Sequence, residues 1–185
     1  MNFDIDSINC NCPYCKTHGY LWYIPPLKKM WIEIPKNGSG TIKNSFGIAK
    51  REQIFGPCLV FLRGPVERFK SLFAHYFIDG ARKHLGPLWL SEVGFRGGDK
   101  LQFLLDNISQ IDKIRQPHHF KTQHSFIPDP NNPNLIYYDL KKLSKFTPKK
   151  HNTSSSFSVY LNENQTKFVQ QLYQKDVDLF NTWVK

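Results

Sequence analysis

No uninterrupted apolar run in the 185 residues approaches the roughly 18–20 needed to cross a bilayer as a helix. The N-terminus, MNFDIDSINCNC, is polar and acidic. It lacks the basic start and apolar stretch of a secretory signal. A soluble, cytoplasmic protein is therefore expected. Acidic residues are few: 15 Asp and Glu stand against 25 Lys and Arg, a formal charge of +10. That surplus favours anionic partners such as nucleic acid, phosphorylated cofactors or acidic polysaccharide, and it also serves solubility. No Lys/Arg block exceeds two residues, so a basic tail of the nucleic-acid type is excluded. Internal repeats are absent, and Ser154-Ser155-Ser156 is the one low-complexity stretch.

The four cysteines make a poor disulfide framework, because Cys10, Cys12 and Cys15 crowd into six residues while Cys58 stands alone. With His18 the cluster reads C-x-C-x-x-C-x-x-H, a ligand set of the kind zinc takes. Free thiols account for it as well and are the commoner outcome. Cys58, between Pro57 and Leu59, reads as a small core residue.

What is abundant is aromatic and aliphatic surface. Hydrophobic residues make up 40% of the chain and include 15 Phe, 8 Tyr and 4 Trp, enough for a sizeable core and too much for a disordered chain. Length suggests one domain at 29–185, with 1–28 as an N-terminal extension carrying the cysteine cluster. Residues 29–35 read as a strand, and the glycine-rich turn 36–41 leads into a helix from Ile42 to about Gln53. PCLVFLR (57–63) reads as a strand buried on both faces. Pro65 then opens a helix bearing Phe69, Leu72, Phe73, Tyr76 and Phe77 on one face, with Glu67 and Arg68 on a solvated one. The glycine-rich stretch 80–98 reads as an irregular connection, and Leu101 to about Ile114 as one helix. NLIYYDL (134–140) is a short strand with a short helix after it. Gln165–Trp183 reads as one amphipathic helix presenting Phe168, Leu172, Leu179, Phe180 and Trp183. Successive strand–loop–helix units predict an α/β fold: a central, mostly parallel sheet flanked by helices.

Two loops carry the chemical signal. In Pro35-Lys36-Asn37-Gly38-Ser39-Gly40-Thr41, small residues after a strand let backbone N–H groups converge on a phosphate, with Lys36 adding a full charge. It is not a Walker A sequence, whose Lys follows the glycines, so a nucleoside-triphosphate kinase is disfavoured. In Leu62-Arg63-Gly64-Pro65-Val66-Glu67-Arg68-Phe69-Lys70-Ser71, an arginine fork at a strand end and a hydroxyl two turns into the helix can grip a terminal phosphate.

Together these loops resemble the sulfotransferases that use 3′-phosphoadenosine 5′-phosphosulfate (PAPS), in the carbohydrate-type branch. IPKNGSGTIKNSF (34–46) is similar to that superfamily's 5′-phosphosulfate loop. LRGPVERFKSLF (62–73) is similar to its 3′-phosphate motif R-x-P-x-x-R-x-x-S, matched by Arg63, Pro65, Arg68 and Ser71. Weaker echoes are His119-Phe120-Lys121-Thr122-Gln123, with Thr122 where Pro is usual, and Ile136–Leu140, with Asp139 in place of Glu. Lys150-His151-Asn152-Thr153-Ser154 resembles a late loop that closes over the nucleotide.

The resemblance implies a P-loop-like three-layer fold and transfer of a sulfuryl group from PAPS to a hydroxyl, a carbohydrate's in that branch, leaving 3′,5′-ADP. Lys36 would neutralise the leaving phosphate. Asn37, Gly38, Ser39, Gly40 and Thr41 would cradle the 5′ group, Arg63 and Ser71 would hold the 3′-phosphate, and Asn152 and Ser154 would close over the nucleotide. No metal is required, since Lys and Arg neutralise the charge. A general base is needed for the hydroxyl; His119 and Glu52 rank first among candidates that also include His75, His118 and His124. The alternative is a non-catalytic basic cleft that binds nucleotide, nucleic acid or sulfated polysaccharide, although no RNA- or DNA-binding motif is present.

Overall fold

The computed structural model describes residues 3–8, 20–78, 83–147 and 158–184. The cysteine cluster with His18, and His151, Asn152 and Ser154, lie outside the described residues.

Five strands form one sheet: β1 (Tyr20–Ile24), β2 (Lys29–Glu33), β3 (Ala49–Arg51), β4 (Cys58–Leu62) and β5 (Leu135–Asp139), in the order β3-β1-β2-β4-β5. Pairs β2–β4 and β4–β5 are parallel, whereas β1 is antiparallel to both its neighbours. Four of the five strands therefore run the same way, and the sheet is mixed. β4 is an interior strand, between β2 and β5, and is buried along its whole length, as its unbroken apolar run predicts.

Alternation of side chains sends β2 and β4 residues to two opposite cores. On one face Met30, Ile32, Cys58, Val60 and Leu62 pack with Leu179. On the other, Trp31, Leu59 and Phe61 pack with Ile42 and Leu143. Helices thus cover both faces: α1 (Ser39–Ser45) lies on the Trp31 side and α6 (Gln174–Trp183) on the Met30 side. A third, all-helical core lies alongside. It joins α2 (Pro65–Phe73), α3 (Leu85–Glu92), α4 (Lys100–Asp106) and α5 (Glu163–Leu172) around Phe69, Tyr76, Trp89 and Tyr173. Cys58 is fully buried, and burial pushes its thiol up to about 12, so it behaves as a small apolar residue.

Several elements depart from the expectation. The helix drawn from Ile42 to about Gln53 stops at Ser45, because Phe46 turns extended and Gly47 follows; residues 49–51 instead form β3 against Trp22. Residues 20–24, placed in an extension, form β1 inside the sheet, and Ile5 and Ile8 are buried in the helical core. Within the glycine-rich stretch 80–98, burial of Leu85, Trp89 and Leu90 supports the helix α3. The helix at 101–114 breaks at Asn107, whose side chain donates to the Phe103 carbonyl, and continues as a 3-10 turn over Ile108–Lys113. The C-terminal helix is two helices hinged at Tyr173, whose buried hydroxyl donates to the Phe120 carbonyl. Val169 and Tyr173 are buried there, while Phe168 and Trp183 are exposed. Among the described residues no helix is long and apolar enough to cross a membrane.

Candidate functional site: two loops at one sheet edge

Parallel pairing of β2 and β4 brings their C-terminal ends out side by side. The loop after β2 therefore lies next to the loop after β4. In the first, Asn37 N–H donates to the Ile34 carbonyl (3.1 Å), closing a tight turn. Lys36 and Gly38 both take left-handed backbone, at φ of 68° and 81°. Glycine is favoured at 38 by its φ, and a Cβ there would lie 2.5 Å from Leu143 Cδ2, so that the leucine would have to shift. The Ser39 hydroxyl donates back to the Ile34 carbonyl at 3.2 Å, so it reinforces the turn.

The second loop is locked to the first by one buried residue, Gln123. Its Oε1 accepts from the Arg63 backbone N–H (2.9 Å) and from Asn37 Nδ2 (2.5 Å), while its Nε2 donates to the Arg63 carbonyl (2.8 Å). Asn37 Nδ2 also donates to the Phe61 carbonyl (2.7 Å), and Asn37 Oδ1 is buried with no hydrogen-bond partner. Asn37 thus bridges the two strand ends, and both its side-chain donors are directed to protein. Arg63 Nη1 reaches the Lys36 carbonyl at 3.4 Å. Burial holds the Arg63 guanidinium below its ordinary pKa; Glu67 opposes this and Arg68 adds to it. A positive charge carried at such a cost favours an anionic neighbour.

Pro65 at the first position starts α2 with its φ already suited to a helix. Glu67 is exposed, as expected, but Arg68 is 1% exposed, which corrects the solvated-face expectation. Its guanidinium donates to three carbonyls: Pro35 (3.3 Å), Lys121 (2.8 Å) and His119 (2.8 Å). It also faces the Asp176 carboxylate at 4.0 Å. Asp176 is fully buried, and burial raises its pKa against the pull of Arg68 and of hydrogen bonds from Gln123 and His124. Arg68 is therefore the clamp that fixes the loop before Lys36 to the segment 119–121. The helical spacing carried a signal for this, since position 68 lies four before Leu72 and three before Ser71, both buried.

Thr122 is pinned in turn by Asp6, whose carboxylate accepts from its N–H (3.0 Å) and its hydroxyl (2.9 Å) and pairs with Lys175 (2.9 Å). Nothing in the sequence separates Asp6 from the other acidic residues near the N-terminus.

The expected site residues divide accordingly. Lys36, Asn37, Gly38, Ser39, Gly40, Thr41 and Arg63 gather at one edge, and Ser71 is buried on α2 two turns beyond Arg63. His119 is tied to them by its backbone carbonyl, which Arg68 holds, while its ring lies against Tyr76, His75 and His118. Glu52 does not: it is exposed just past β3 at the outer edge, with β1 between it and β2. An open groove of about 520 Å³ lies beyond the other end of α2, lined by Phe73, Phe77, Ile78 and Leu101 with Asp99 and Lys100. Among the described residues no three His, Cys, Asp or Glu side chains are grouped to hold a metal ion. Comparison with protein-family models, with curated proteins and with solved structures finds no match to this chain.

Proposed function

We propose that the chain is a sulfotransferase that moves a sulfuryl group from PAPS to a hydroxyl, with a carbohydrate as the acceptor class. The observation that carries this reading is the contact of Arg63 with the Lys36 carbonyl at the shared edge of β2 and β4. It unites the two loops that resemble the superfamily's phosphosulfate and 3′-phosphate motifs. α1 leaves β2 toward the Trp31 face, while α2 packs on α5, which leads into α6, and Leu179 of α6 covers the opposite face. Adjacent parallel strands whose connections diverge leave a crevice at their C-terminal ends, where α/β sheets commonly bind ligands. The P-loop-like fold belongs to the same reading.

Each residue then has a physical task. Lys36 offers its ammonium to the 5′-phosphate as the S–O bond to it breaks, and Arg63 with Ser71 takes the 3′-phosphate. In-line placement of donor and hydroxyl supplies much of the rate, because sulfuryl transfer, like phosphoryl transfer, requires little covalent help from the protein.

Thermal unfolding with 3′,5′-ADP, using 5′-AMP as control, tests the reading. Ligand at about 100 Kd stabilises the native state by roughly 2.7 kcal/mol. A rise in Tm with 3′,5′-ADP and none with 5′-AMP is the expected result. Equal response to both, or to neither, would overturn it.

A further inference from the structure

The two edges of the sheet are finished differently. β3, at one edge, is three residues long and carries Lys50 and Arg51. Short length and positive charge are devices that keep an edge from pairing with another chain. β5, at the other edge, has neither. It runs for five residues, LIYYD, without Lys, Pro or Gly, and all five are half-buried. Among the described residues no strand pairs with its outer side. Its one charge, Asp139, is turned to its own chain, where the carboxylate accepts from the Lys141 N–H at 2.8 Å.

The phase of the ladder decides which backbone groups face outward. Cys58 is paired with Leu135, and its N–H donates to the Asn134 carbonyl at 2.8 Å. In a parallel pair such a residue bonds to both neighbours of its partner, so Ile136 and Tyr138 turn their backbone groups toward β4. Leu135, Tyr137 and Asp139 then turn theirs away from the sheet. The Leu135 N–H is already taken by the Asn132 carbonyl at 2.9 Å. Tyr137, at the midpoint of the strand, presents both a donor and an acceptor.

We propose that β5 is the pairing edge of a two-fold dimer, in which a second copy of this chain adds its own β5 antiparallel, centred on Tyr137. The proposal does not depend on the sulfotransferase reading. A two-fold axis at Tyr137 lets the two copies exchange N–H···O=C bonds there, and sets each Asp139 N–H opposite the other copy's Leu135 carbonyl. The result is one continuous sheet with four hydrogen bonds across the axis. Charge favours the antiparallel sense. The segment before β5, PDPNNPN (128–134), carries Asp129 and no cation, whereas the 3-10 turn after it, Leu140–Lys145, carries the exposed Lys141 and Lys145. Antiparallel pairing brings each basic turn toward the other copy's acidic segment. The side chains agree as well. Tyr137 is stacked on Trp183 (centroids 5.1 Å apart, planes at 19°), and the axis sets the two Tyr137 rings side by side on one face. A cross-strand aromatic pair of this kind stabilises antiparallel strands.

Sedimentation equilibrium over a dilution series tests the dimer, joined to amide exchange on the same samples. Wild type is expected to approach twice the 21.7 kDa chain mass as concentration rises. The N–H groups of Tyr137 and Asp139 should exchange more slowly in the concentrated sample. Those of Ile136 and Tyr138, bonded to β4 in either state, should change little. Tyr137→Lys places like charges opposite each other at the axis and should weaken association at least about tenfold, as should Tyr137→Glu. An equimolar mixture of the two variants should recover the double mass. A monomeric wild type up to about 1 mM overturns the proposal, and so does a dimer that folded Tyr137→Lys leaves at full strength. Should both variants unfold, exchange in wild type decides: equal rates at Tyr137 in dilute and concentrated samples overturn the pairing.

Discussion

The side-chain amides of Asn37 and Gln123 share a buried hydrogen bond across 86 positions of sequence, and the same Gln123 oxygen holds the Arg63 backbone N–H. The loops after β2 and β4 are therefore set relative to each other by a third segment. Gln123→Ala leaves the Arg63 N–H and one Asn37 donor without that partner in the interior. Each orphaned group costs about 1–3 kcal/mol. Urea unfolding should show a loss of about 2–4 kcal/mol, together with weaker 3′,5′-ADP binding. A loss under about 0.5 kcal/mol, the range of neutral surface changes, would contradict the locking role.

Arg68 and Asp176 make a buried pair in which neither charge has an alternative in solvent. Arg68→Met strands the carboxylate and should cost about 3–5 kcal/mol, whereas Arg68→Met with Asp176→Leu should recover much of that. The carboxyl is already raised by burial, so its contribution to stability is greatest at low pH and declines as pH rises through the raised value. Without Arg68 the decline is steeper. Denaturation at about pH 4 and pH 7 should accordingly show the larger penalty at pH 7; an equal penalty at both would mean that Asp176 stays neutral throughout.

Lys36, whose ammonium the proposed reading sets against the 5′-phosphate, has an unfavourable backbone. Its left-handed φ costs about 1–2 kcal/mol for a residue with a Cβ. Lys36→Gly removes that strain but gains freedom in the unfolded chain, so stability should stay within about 1 kcal/mol of the parent. Turnover of PAPS should fall by about 100-fold or more, the scale set by loss of one charge-stabilising donor. Wild-type turnover in Lys36→Gly would remove Lys36 from the chemistry.

Asp6 makes folding acid-sensitive. Burial alone would raise its carboxyl, but hydrogen bonds from Lys175 and Thr122 outweigh this and hold it below its ordinary value. The stabilisation is present above the unfolded carboxylate range and is lost as pH falls through the lowered folded value. Wild type should therefore be the more stable at neutral pH and converge with Asp6→Asn in acid. A stability gap between the two that does not change with pH would rule out this linkage.

Much of the frame was legible from local pattern. An unbroken apolar run marked β4, and spacings of three and four marked the buried face of α2. Glycines and a proline marked both loops. These signals depend on neighbours along the chain, whose spacing fixes which side chains share a face. The boundaries that failed lie at Ser45, Asn107 and Tyr173; the break at Asn107 goes with a local bond from its side chain to the Phe103 carbonyl, and the one at Tyr173 with a distant bond from its hydroxyl to the Phe120 carbonyl. β1 and β3 escaped notice because short strands are stabilised by partners that a local window does not contain.

Residue chemistry came from the sequence alone: a lysine before a glycine turn, an arginine at a strand end, histidines in a short basic segment. Their arrangement was decided by tertiary structure. Parallel pairing of β2 with β4 set Lys36 beside Arg63, and burial turned Arg68 from a surface charge into a clamp on three carbonyls. Glu52 was left at the outer edge, while His119 was brought against Tyr76. Buried polar groups must find partners wherever the fold supplies them, and at Arg68, Gln123 and Tyr76 the hydrogen-bond partners named above lie between 33 and 86 positions away.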